Sequence, residues 1–132
     1  MITSRSLLIP FIVLVVQLPV FATENNSPSA AMDSLIAASD FQQAFEMGEA
    51  NLEEWEGDPE FDFLYGLAAL ESGNPNESVF ALERVVTVSE DGVLRGRARL
   101  ELARAYFVTN NLSASENLFN QVLASNPPAN VQ

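Results

Sequence analysis

The chain has 132 residues, of which 18 are acidic and six basic, and it contains no histidine, cysteine or lysine. That set excludes transition-metal centres, thiol nucleophiles and the serine–histidine triad, which need imidazole or thiolate. It also argues against nucleic acid and anionic membrane surfaces, whose recognition needs basic patches. The length suits one small domain, and without disulfides its stability must come from packed secondary structure.

Residues 1–22 read as a cleavable leader. Arg5 supplies a positive start, Leu7 to Leu18 form an apolar run interrupted by Pro10 and Gln17, and Val20-Phe21-Ala22 suits a cleavage site. The competing reading is a membrane anchor, but Leu7 to Phe21 falls short of the roughly 20 apolar residues that span a bilayer. No cysteine follows Ala22, so the site is not that of a lipoprotein. The expectation is a periplasmic protein beginning at Thr23, with no direct membrane contact after cleavage and with residues 23–28 as a short linker. Without Arg5, five arginines face the 18 acids; all five lie between Arg84 and Arg104, and no base occurs from Thr23 to Glu83.

A first helix pair is predicted over residues 29–57, turning at Ser39-Asp40. Its small-residue position falls on Met32, a poor match, and Gly48 sits mid-helix, where glycine weakens the element. The second pair covers residues 58–92. Phe61, Tyr65, Gly66, Ala69 and Leu70 share its first helix, Gly73-Asn74-Pro75 makes the turn, and Val79, Leu82, Val85 and Val86 line the returning helix. Asn74 suits an N-cap and Pro75 the first helical position. The third pair covers residues 93–128. Ala103 and Tyr106 share a face with Arg99 and Leu102, Asn110-Asn111 makes the turn, and Ala114, Leu118, Phe119, Val122 and Leu123 give the return its apolar stripe before Pro127 and Pro128 end it. Aligning Gly66 with Ala103 gives a spacing of 37, three more than the 34 that relates Ala44 to Ser78; the extra residues are placed near Asp91 to Arg97.

This order of small-residue helix, tight polar turn, second helix and terminal proline resembles the tetratricopeptide repeat, whose unit is 34 residues. The fold expected is an all-α solenoid of about three helix pairs, with Gly66, Ala69, Ala103, Tyr106 and Pro127 at structural repeat positions. Such a module binds proteins. The first helices of the pairs would line its groove, through Glu60, Phe63, Leu64 and Leu67 in the second unit and Arg97, Leu100, Arg104, Phe107 and Val108 in the third. Phe63, Leu67, Arg97, Arg104 and Phe107 are the candidate binding residues, with the arginines pairing to carboxylates of a partner. Burial of these apolar residues against a neighbouring repeat is the alternative. No cofactor, metal or catalysis is expected: Asp58, Glu60 and Asp62 alternate like a calcium loop, but its glycine and closing glutamate do not follow.

The blocks Leu64-Tyr65-Gly66-Leu67-Ala68-Ala69-Leu70, Ala81-Leu82-Glu83-Arg84-Val85-Val86, the run from Ala98 to Phe107 and the closing Asn126-Pro127-Pro128-Ala129-Asn130-Val131 are similar to the periplasmic tetratricopeptide domain of the surface lipoprotein assembly modifier family. The likeness covers residues 61–131. It implies an exported or outer-membrane protein or lipoprotein as partner and a role in outer-membrane or surface-lipoprotein assembly; a general periplasmic scaffold, such as one for polysaccharide export, and a non-functional remnant are the alternatives. Members of that family continue into an outer-membrane β-barrel, and this sequence has no run of alternating strands to match it.

Overall fold

The computed structural model describes residues 27–125. The expected leader, most of the short linker and Pro127 lie outside them. Six helices follow one another: α1 (Ser29–Ala37), α2 (Phe41–Trp55), α3 (Pro59–Glu71), α4 (Pro75–Val88), α5 (Gly92–Val108) and α6 (Leu112–Ser125). They pair as α1–α2, α3–α4 and α5–α6, with no strand among the described residues. The first helices touch along the stack, α1 against α3 and α3 against α5, whereas the second helices do not meet among the described residues. Spacing the outer row more widely than the inner one curves the stack, with α1, α3 and α5 on its inner side. The fold is the all-α solenoid that the repeats predict.

One turn is used three times. Ser39, Gly73 and Asn110 take left-handed backbone at φ 61°, 88° and 62°. The following amide reaches back five positions in each case, Asp40 to Leu35, Asn74 to Ala69 and Asn111 to Tyr106, at 2.8 Å. That geometry is the Schellman stop, which satisfies carbonyls left over at a helix end. Helix starts are set by aspartates: Asp40 accepts from the Gln43 amide, Asp58 from Phe61, and Asp91 from Val93 and Leu94. Asn74 corrects the sequence reading. It holds the cap position of α4, but its side chain donates to the Ser72 hydroxyl at 3.0 Å instead of capping. The extra residues of the third unit become an added turn of helix, so that α5 has 17 residues where α3 has 13.

The mismatch at Met32 is resolved by Gly48. Within the second pair Gly66 faces Leu82, and a Cβ on Gly66 would stand 2.7 Å from the Leu82 Cγ. The corresponding residues of the first pair are Met32 and Gly48, and those of the third are Ala103 and Phe119. Large and small are exchanged between the two helices in the first pair, and the volume is kept. Gly48 also lets α3 approach: a Cβ there would lie 2.4 Å from the Tyr65 ring. That ring is held between Phe45 at 5.6 Å and Phe61 at 6.1 Å, nearly parallel to both. The weak point expected at Gly48 is therefore a place where the absence of a side chain lets α3 pack closely on α2.

Ser78 and Ser115 hold matching positions on α4 and α6 and are both buried, yet only one is satisfied. The Ser115 hydroxyl donates to the Ala103 carbonyl at 2.8 Å, while the Ser78 Oγ has no partner among the described residues. A buried hydroxyl without a hydrogen bond costs about 1–3 kcal/mol, and a made one contributes about 1 kcal/mol. Ser78→Ala should therefore raise the urea midpoint and Ser115→Ala lower it; Ala44 already holds this place in the first unit. Denaturation curves for the two variants check the opposite signs.

Candidate protein-binding face

The inner side of the curve carries a cleft of about 610 Å³ between the N-terminal halves of α3 and α5, with α1 at its edge. Phe63 and Leu64 of α3 and Leu94 of α5 form its floor. Each is presented by a local choice of sequence. Asp58 and Pro59 start α3 so that its first two turns face inward, and Asp91 starts α5 a turn early, which brings Val93 and Leu94 across. The rim is acidic: Asp33, Asp58, Glu60, Glu90 and Asp91 surround it, with Arg97 as the one base.

The five candidate residues separate in space. Phe63 and Arg97 come together, the guanidinium lying 4.6 Å from the ring centroid, so Arg97 covers an aromatic side chain that is only 3 % exposed. Leu67 is half-buried and lies outside this cleft. Phe107 stands 63 % exposed near the C-terminal end of α5. Arg104 is held by Glu71 of α3 at 2.7 Å and by Glu101 on its own helix. The geometry differs from two arginines held open for a partner's carboxylates: Arg104 already ties α5 to α3, and Arg97 serves as a lid over Phe63. Of the repeat positions, Gly66, Ala69 and Ala103 are buried and Tyr106 is half-buried.

Most acids of the base-free first half are exposed, and Asp62 is the exception. Its carboxylate is fully buried and accepts from Arg84 Nε at 3.0 Å, from Arg84 Nη2 at 2.7 Å and from the Gly57 amide at 3.0 Å. Arg84 also meets Glu56 at 2.9 Å. This network fixes the loop between α2 and α3, and with it the Asp58 and Glu60 edge of the cleft. Its signal in the sequence is an acid within the apolar run Phe61-Asp62-Phe63-Leu64-Tyr65, where a solvated residue does not fit.

Both tyrosines of the chain bind a carboxylate of the preceding unit: Tyr65 donates to Glu49 and Tyr106 to Glu83. Burial, and then the hydrogen bond to a negative acceptor, raises both phenols; Tyr106 is pushed up to about 12 and Tyr65 beyond it. Because the folded values lie above the unfolded one near 10, this contribution to stability is complete below pH 10 and is lost as pH rises through about 12. Absorbance at 295 nm should show little tyrosinate at pH 10.5 in the folded protein and a majority in denaturant. Equal titration in both conditions would place the phenols in water.

Among the described residues no helix is long and apolar enough to cross a membrane, and no cluster of three carboxylates could hold a metal. Comparison with curated proteins and with solved structures gives no match. A family model described as tetratricopeptide repeat does match, over residues 69–132, from the end of α3 through α4, α5 and α6. The helix pairs, their repeated stop turns and this match agree: residues 69–132 match a tetratricopeptide repeat, and the described residues form the helical solenoid that such repeats build.

Proposed function

We propose that this chain is an exported, non-catalytic interaction module that holds a segment of another exported or outer-membrane protein against the cleft between α3 and α5. The observation that carries this reading is the cleft itself: lined by half-buried Leu94 and the edges of the largely buried Phe63 and Leu64, drawn from two units and rimmed by five carboxylates. A partner segment that suits it is extended or helical, apolar on one side and basic at its edges. The leader-like residues 1–22 support a place in the periplasm, and the resemblance over residues 61–131 supports a surface lipoprotein as partner and lipoprotein assembly as the process.

Charge reversal on the rim tests this directly. Glu60 and Glu90 are exposed and cap no helix, so Glu60→Lys with Glu90→Lys should leave helicity intact. Capture of the partner from periplasmic extract should fall about tenfold or more relative to wild type, and capture by wild type should weaken with salt. Equal capture by the double variant would remove the cleft as the binding site, and absence of the protein from the periplasm would remove the export reading.

A further inference from the structure

The α5–α6 end of the stack repeats, one unit on, the surface that α5 itself covers on α3 and α4. On that earlier surface Phe63 lies under Arg97, and Val85 is fully buried. Their counterparts 37 residues later, Leu100 and Val122, line an open cleft of about 490 Å³ together with Gly96, Arg97 and Arg99. Leu123, next in sequence to Val122, is exposed. The charge is as unusual as the exposure: in a chain with 18 acids, the residues lining this cleft include two arginines and no carboxylate. The other end of the stack is finished differently. Where α3 uses Leu64, Tyr65 and Ala68, all buried, α1 carries Ala30, Ala31 and Ser34, all exposed and small.

We propose that the α5–α6 face is a docking site for an amphipathic helix of another protein, apolar towards Leu100 and Val122 and acidic along the edge that meets Arg97 and Arg99. A helix is the occupant because a helix fills the same seat one unit earlier, where α5 presents Ala98, Leu102 and Ala105, all buried. Acidic residues suit the seat because no carboxylate lines it, and Arg99, unlike Arg97, does not also border the acidic cleft. A second copy of this chain fits less well. Two α5–α6 faces would bring like charges together, and α1 offers only small side chains for burial.

The probe is a synthetic 18-residue helix with leucine and alanine spaced as Leu94, Ala98, Leu102 and Ala105 are, and glutamate along its flanks; a control carries lysine on the flanks. Fluorescence anisotropy with the full-length chain should show the glutamate peptide binding, more weakly at high salt, and the lysine peptide at least tenfold weaker. Leu100→Glu and Arg99→Glu, both on the face and outside the acidic cleft, should each weaken binding about tenfold, with the circular dichroism unchanged. Equal binding of the two peptides, unchanged binding by both variants, or no binding by wild type would overturn the proposal. So would wild-type dimerisation that Leu100→Glu abolishes, since the face would then belong to a second copy.

Discussion

Gly48→Ala is expected to lower the melting temperature by on the order of 10 °C, a loss of about 2 kcal/mol at roughly 4–8 °C per kcal/mol for a domain of this size. The direction is informative because alanine is the better helix former by about 1 kcal/mol, so propensity alone predicts a gain. What opposes it is contact. The new methyl would lie 2.4 Å from the Tyr65 ring, which cannot retreat while it is stacked between Phe45 and Phe61, and 3.2 Å from the Met32 terminal carbon. Gly96 supplies the control: it is also helical, and a Cβ there meets nothing within 4 Å. Gly96→Ala should raise the melting temperature by a few degrees. If both substitutions stabilise, the approach of α2 to α3 is not what selects glycine at position 48.

The repeat was legible because its determinants are local. Gly73-Asn74 and Asn110-Asn111 each combine a residue that tolerates left-handed backbone with a polar one that follows, Ser39-Asp40 supplies a polar pair without that tolerance, and the structure uses all three in the same stop turn. The displacement from 34 to 37 was legible for the same reason, since it changes the length of one helix and leaves the turns alone. Gly48 was misread because its meaning lies in a partner: a glycine in mid-helix signals weakness until Met32 is known to occupy the facing position. The candidate groove was legible as a row of first-helix residues. Its charge was not, because Arg104 is neutralised by Glu71, 33 residues away, and the acids of the cleft come from α1, α3 and two loops that only the curvature brings together.

Distance along the chain also hid the network at Asp62, where the second large effect is expected. Arg84→Ala should cost about 3 kcal/mol, the lower end of what removing one partner from a buried ion pair costs, because the Arg84 side chain is 28 % exposed and water can enter its place. Asp62, fully buried in the wild type, would keep the Gly57 amide as its remaining protein donor. Asp62→Ala should cost less, since the arginine it abandons reaches solvent and keeps Glu56. The double variant Asp62→Leu with Arg84→Met should recover most of the loss, as apolar replacement of a buried pair commonly does. Urea denaturation of the four proteins gives this order, and an Asp62→Ala loss larger than that of Arg84→Ala would contradict it. The consequence reaches the cleft. Asp62 and Arg84 hold Glu56 and Gly57 against α4, and Asp58 and Glu60 follow directly. Arg84→Ala should therefore also speed amide exchange at Gly57 and weaken partner capture below its melting temperature, although Arg84 lies outside the cleft.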